Sequence, residues 1–274
     1  MNAGHEPRKG GEAQRLLAID PDGDVLFERT IADLPTLLQP GDVVVLNDAA
    51  TIPASLRVRT ASGRVHELRL AGPPRAGRWP AVLFGEGDWR LDTDRRPAPE
   101  PVRAGDRLVL DDDSTVRVVA VSQWSERFLT IHFERAEPEV WPLLYRVGRP
   151  VQYAYVPEAV ALPDVQTSYA SRPWAVEMPS AGRPLTWRLL LALRKRGIEV
   201  ATLTHAAGLS ATGDPKLDAR LPLRERYELP TATVAAIDEC LDRGQRVIAV
   251  GTSVVRALEG NASDHHGVLV PGIA

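Results

Sequence analysis

The sequence predicts an α/β protein with a small antiparallel β unit set into it. Two patterns carry that reading. Beyond Pro138, apolar strands and amphipathic helices alternate, the order that gives a mostly parallel sheet. Between about Leu56 and about Ala136 they give way to some six short strands of alternating polarity separated by turn residues, the texture of an antiparallel barrel or sandwich. With 274 residues, 44% of them hydrophobic, the chain is long enough for two such cores.

Taken in order, residues 1–14 read as a flexible tail, polar and carrying Gly10-Gly11. Two short strands, 15–20 and 25–27, follow around a turn at Asp22-Gly23, a hairpin signal. Residues 31–38 read as a short helix stopped by Pro40-Gly41. Val43-Val44-Val45-Leu46 is a continuous apolar strand, of the kind covered on both faces, and ends in Asn47-Asp48. The six alternating runs are 56–59, 65–70, 79–84, 107–110, 116–121 and 128–133, with a proline-rich loop at 94–101. Thr186 can cap a helix whose apolar face includes Leu189, Leu190 and Leu193 and which closes at Gly197. A strand over 198–203 follows. A helix from about Thr231 places Val234, Ile237 and Leu241 on one face. The strand 247–250 then runs into Gly251-Thr252-Ser253 and a third helix through Leu258. The expected domains are therefore 15–55 with 137–274 (α/β, discontinuous) and 56–136 (inserted β unit).

Composition narrows the function classes. No apolar run approaches the roughly 20 residues that span a bilayer, and the start MNAGHEPRKGGEAQ has no apolar segment, so neither a membrane protein nor a secretory signal is expected. The single cysteine, Cys240, excludes an internal disulfide and any multi-cysteine metal site, and fits a reducing cytoplasm. A net charge of -3 gives no global field for nucleic acid. A local basic face from Arg57, Arg59, Arg64, Arg69, Arg75 and Arg78 stays open, with Arg57 and Arg59 on one side of their strand.

The strongest chemical signal is the glycine turn and hydroxyls of Gly251-Thr252-Ser253 between a strand and a helix. Free N–H groups there attract a carboxylate or phosphate; ordinary capping would look the same. Asn47-Asp48 and His205 also end strands, as turn formers or as functional groups. Glu225 reads as a surface ion pair with Arg224 or Arg226, or as an acid–base group. Adjacent His265-His266 have no third ligand in sight, and the sequence has no Walker loop, G-x-S-x-G elbow or H-E-x-x-H.

Together these segments resemble a known family. Asp33-Leu34-Pro35, the run from Leu38 to Asp48, and Ile52-Pro53-Ala54 are similar to the N-terminal signature of the S-adenosylmethionine:tRNA ribosyltransferase-isomerases of queuosine biosynthesis. Gln166-Thr167-Ser168-Tyr169-Ala170 with Pro179-Ser180-Ala181-Gly182 resembles their central motif, and the run from Arg246 to Glu259 their most specific block. His205 with Gly208-Leu209 and Glu225 with Tyr227-Glu228 match in position. The resemblance implies an open, barrel-like α/β domain interrupted by a small antiparallel β-barrel. It implies transfer of the ribosyl part of S-adenosylmethionine, a cosubstrate, onto a deazaguanine base in the tRNA anticodon stem-loop, with no metal, no membrane and no obligate protein partner. It further implies Asp48, His205 and Glu225 as titratable catalysts. Asn47, Ser180, Ala181, Gly182, Gly251, Thr252, Ser253 and Arg256 would hold the cosubstrate. Departures from the pattern fall at Ala49-Ala50 and Ser55, where the family has Thr-Arg and a second arginine. Arg183-Pro184-Leu185 and the run from Arg220 to Arg224 replace family histidines, and the chain ends before the family's C-terminal segment. These leave two alternatives, an S-adenosylmethionine enzyme acting on a small molecule and a non-catalytic member.

Overall fold

The computed structural model describes residues 11–20, 25–156 and 158–274. β1 (Arg15–Asp20) and β2 (Val25–Thr30) pair antiparallel, Arg15 opposite Thr30. The Asp22-Gly23 turn and residues 1–10 of the expected tail lie outside the described residues. Residues 11–14 are not a free tail. Gly11–Ala13 form a 3-10 turn, and Glu12 accepts hydrogen bonds from Thr186 and Arg188, because its charge meets a cation at the start of a helix.

After α1 (Leu34–Leu37) come β3 (Val43–Asn47) and the short β4 (Ala49–Thr51). Six strands follow: β5 (Ser55–Arg59), β6 (Val65–Leu70), β7 (Arg78–Phe84), β8 (Arg107–Leu110), β9 (Thr115–Val121) and β10 (Phe128–Phe133). They close into an antiparallel barrel in the order β10-β7-β6-β5-β8-β9. Alternation sends Leu56, Val58, Leu68, Leu70, Leu108, Leu110, Val116 and Val118 inward, each at most 1% exposed. Every such side chain adds roughly 1.5–3 kcal/mol of burial. α2 (Glu137–Val147) packs Val140, Leu143 and Leu144 into the same core, and Trp79 meets Phe133 and Trp141 edge to face.

The remaining elements are β11 (Arg172–Ala175), α3 (Trp187–Lys195), β12 (Glu199–His205), α4 (Pro215–Asp218), β13 (Tyr227–Leu229), α5 (Thr231–Asp242), β14 (Val247–Ala249), α6 (Thr252–Asp264) and β15 (Gly272–Ile273). They build a five-stranded sheet in the order β14-β3-β12-β13-β15. β14, β3 and β12 are parallel, and β13 and β15 add an antiparallel edge. β3 is buried throughout because both its faces are covered: Val43 and Val45 meet α5 and α6, while Val44 and Leu46 meet α3. Thr186 caps α3 by accepting from the Leu189 N–H at 3.2 Å, and Gly197 follows at φ +75°, as the sequence requires.

At the opposite edge of the strands Asp42 is fully buried and ties β3 to β14. It accepts from the N–H of Gln39 at 2.8 Å and of Arg246 at 3.1 Å, and from the Arg246 guanidinium at 2.6 Å. Burial alone would raise its carboxyl, but these donors outweigh it and hold it below the usual carboxylate range.

One apolar face differs from expectation. Leu241 is 58% exposed, whereas Cys240 is buried and its thiol contacts the Arg246 carbonyl at 3.2 Å. The last turn of α5 thus turns Cys240, and not Leu241, the last of the expected apolar series, toward the strand that follows.

Candidate functional site

Parallel strands place their carboxyl ends side by side, and in α/β sheets ligands bind there. Here β3 ends in Asn47, β12 ends in His205, and β14 leads through Val250 to Gly251. Asn47, 2% exposed, links all three. Its amide donates to the His205 carbonyl at 3.0 Å and to Ser253 Oγ at 3.2 Å, while its Oδ1 accepts from the N–H of His205 and of Ala49, both at 3.0 Å. The side chain extends the β3–β12 ladder and fixes the start of α6.

His205 is the last residue of its strand and 2% exposed. Its Nε2 lies 3.5 Å from Glu225, whose Oε1 accepts from the Gly208 N–H at 2.6 Å and whose Oε2 pairs with Arg256. Burial pulls the basicity of His205 down; the Glu225 carboxylate opposes that and the Arg256 charge adds to it. His205 Nδ1 is buried without a partner. Glu225 therefore pairs neither with Arg224 nor with Arg226. Its two oxygens are spent on a histidine, a backbone N–H and a more distant arginine, an arrangement able to pass a proton between carboxylate and imidazole.

Asp48 forms the second group. It accepts from Thr204 Oγ1 at 2.6 Å and Ser171 Oγ at 2.9 Å, and its carbonyl accepts from the Ser171 N–H at 2.8 Å. Burial and the nearby Asp48 charge both push the Tyr169 phenol well above its usual range. Tyr169 Oη and Thr167 Oγ1 are buried without partners beneath the 3-10 turn Ser180–Gly182. A Cβ at Gly182 would lie 2.0 Å from Tyr169 Oη, and one at Gly251 2.8 Å from Ala181 Cβ. Close backbone approach thus joins the 180–182 turn to the Gly251 loop, and Gly251, at φ +87°, takes a conformation open mainly to glycine.

The structure brings Asn47, His205, Glu225, Ser253 and Arg256 into one hydrogen-bonded and ion-paired neighbourhood, with Ala181, Gly182 and Gly251 near the start of α6, while Asp48 follows Asn47 in the chain and bonds to Thr204 and Ser171 instead. Ser180 and Thr252 are exposed. The α6 start has no side-chain cap, so its N–H groups, Arg256 and the unpartnered His205 Nδ1 suit a ligand with a carboxylate and polar edges. Sequence reasoning missed Thr204 and Ser171 as Asp48 partners; only adjacency to His205 marked Thr204. No group of three His, Cys, Asp or Glu side chains among the described residues is placed to hold a metal. His265 Nδ1 instead contacts the Asn261 carbonyl at 2.7 Å.

The six arginines proposed for one basic face do not share it. Arg57, Arg59 and Arg64 pair with Asp111, Asp113 and Glu100 at 4.0, 3.1 and 3.4 Å. Arg69 is fully buried against Glu67 at 2.7 Å, beside Arg96, because the outer wall of β6 is covered by the loop that carries Arg96. Arg57 and Arg59 share the outer side of β5, as alternation predicts, and Arg75 and Arg78 stand together across a tight bridge.

The queuosine biosynthesis protein family matches residues 2–270. The chain belongs to that family. Among its relatives, the S-adenosylmethionine:tRNA ribosyltransferase-isomerase of Synechococcus sp. (strain RCC307) is 35% identical over 97% of this chain and 72% of its own. The enzyme of the same name from Anaeromyxobacter dehalogenans (strain 2CP-C) is 35% identical over 95% of this chain and 73% of its own. A crystal structure of S-adenosylmethionine tRNA ribosyltransferase from Thermotoga maritima covers 95% of this chain with 70% of its own, at 23% identity and a TM-score of 0.41. No helix among the described residues is long and apolar enough to cross a membrane.

Proposed function

We propose that this protein transfers and isomerises the ribosyl moiety of S-adenosylmethionine onto a deazaguanine base in the anticodon stem-loop of tRNA, in the cytoplasm and without a metal. The observation that carries the reading is the convergence of His205, Glu225 and Arg256 with Asn47 and Ser253 where the parallel strands end. The reaction needs a base for a proton beside the sulfonium, whose positive charge acidifies that carbon, and a donor for the departing adenine, and the carbon–sulfur bond breaks to release methionine as the second leaving group. Glu225 and His205 supply a pair for these two transfers, and Asp48, held by Thr204 and Ser171, a fixed carboxylate at the end of the same strands. Ser180–Gly182, Gly251–Ser253 and Arg256 hold the cosubstrate, the α6 N–H groups and Arg256 facing its carboxylate. Arg256 then trades Glu225 for the incoming carboxylate, leaving Glu225 free to accept a proton.

The test is adenine release from S-adenosylmethionine in the presence of tRNA. Glu225→Gln keeps the contact to Gly208 but removes the base, so release should fall at least roughly a hundredfold with cosubstrate affinity retained; His205→Ala is the matching variant. Wild-type turnover in both variants would remove the assignment. A wild-type protein that releases no adenine with tRNA while binding S-adenosylmethionine would favour a different acceptor.

A further inference from the structure

A cleft of about 1000 Å³ opens between the barrel and the segment that leads into β13, and its walls carry Arg75, Arg78, Arg220, Arg224 and Arg226 with Trp124. No Asp or Glu side chain lines it. None of these five arginines joins an ion pair among the described residues, in contrast to Arg57, Arg59 and Arg64 on the barrel wall. Five arginines in one concavity, none in an ion pair among the described residues, focus positive potential on a chain whose net charge is -3.

The aromatic component fits the same ligand. Trp124 is 40% exposed, stacks on Phe128 with ring centroids 6.2 Å apart, and carries the Arg220 guanidinium 4.9 Å from its ring centroid. An indole and a planar guanidinium together make a platform for a nucleobase, which presents its face only where it is not already stacked in a duplex.

The cleft and the acid–base pair lie on two sides of one segment. Arg224 and Arg226 line it, while Glu225 between them turns the other way, to His205 and Arg256. Ala71, another wall residue, has its carbonyl 3.6 Å from where a Cβ on Gly208 would stand, and Gly208 is the residue whose N–H holds Glu225.

Building on the activity proposed above, we infer that this cleft seats the single-stranded loop of the RNA substrate. The arginines take its phosphates and Trp124 a base neighbouring the one to be modified.

Filter binding of an anticodon stem-loop RNA across a salt series tests this, with calorimetric titration of S-adenosylmethionine on every variant. Replacing Arg75, Arg78 and Arg224 together by alanine should weaken RNA binding more than tenfold and flatten the log–log salt slope by about 2, three phosphate contacts at roughly 0.7 each. Trp124→Ala should weaken it roughly tenfold with the slope unchanged. Replacing Arg57, Arg59 and Arg64 by alanine should leave binding as in the wild type. Unaltered RNA binding in both cleft variants, or loss in the barrel-wall variant instead, overturns the cleft while the activity stands. A wild-type protein that binds S-adenosylmethionine but no RNA overturns the activity on tRNA and the cleft with it.

Discussion

Replacing Gly182 by alanine should destabilise the protein through a single atom. The added Cβ would stand 2.0 Å from Tyr169 Oη, 3.2 Å from Tyr169 Cζ and 3.5 Å from Thr167 Cγ2. The tyrosine ring is 8% exposed and packed with Val44, Leu46, Leu185 and Leu189, so it has no open direction in which to withdraw. Overpacking of this kind costs about 1–3 kcal/mol, a fall in melting temperature of roughly 2–10 °C for a chain this size. Tyr169→Phe removes the atom at 2.0 Å and leaves the ring carbon at 3.2 Å, within a small adjustment of ordinary contact. Because Tyr169 Oη is buried without a partner, deleting it should itself be neutral or stabilising, by up to about 1 kcal/mol. The double variant should therefore recover most of the loss, with a coupling of about 1–2 kcal/mol in a double-mutant cycle measured by urea unfolding. Titration of S-adenosylmethionine on the same proteins reads out whether the 180–182 turn is held for the ligand: Gly182→Ala should weaken binding and the double variant restore it. A Gly182→Ala protein with wild-type unfolding midpoint, or a double variant no better than the single, would refute the close approach.

Asn47→Ala should cost about 2 kcal/mol or more in urea unfolding, since it strands the buried N–H groups of His205 and Ala49, whereas the His205 carbonyl keeps the Ala207 N–H; a loss below about 1 kcal/mol would show that these groups find other partners. Asp42→Asn should destabilise the protein in a pH-dependent way. The Asp42 carboxyl sits below its unfolded value of about 3.9, so its contribution is fully present above that pH and is lost as pH falls through the lower folded value. The stability difference between wild type and Asp42→Asn should thus be constant at neutral pH and shrink in acid; a difference that grows on acidification would reverse the sign of the linkage.

Local chemistry is legible in a sequence because it acts over a few residues. The continuous apolar run at Val43–Leu46, the alternation of the six barrel strands, the Thr186 cap and the glycine at 197 each satisfy a local geometric demand, and each stands in the structure within a residue or two of where it was read. Asn47, His205 and Gly251 were readable as strand ends for the same reason. Partnerships across the chain were not. That the six strands close into a barrel rather than pack as a sandwich depends on β9 meeting β10 and β10 meeting β7, pairings that alternation permits without specifying. β13 and β15 edge the sheet antiparallel, which no periodicity announces. Glu225 bypasses its flanking arginines for Arg256, because the fold brings the start of α6 to it while Arg224 and Arg226 turn to the cleft. Arg69, an outward residue by alternation, is buried because a loop covers its wall and Glu67 neutralises it there. Charge pairing depends on distances of a few ångströms between segments far apart in sequence, and those distances exist only once the tertiary structure has formed.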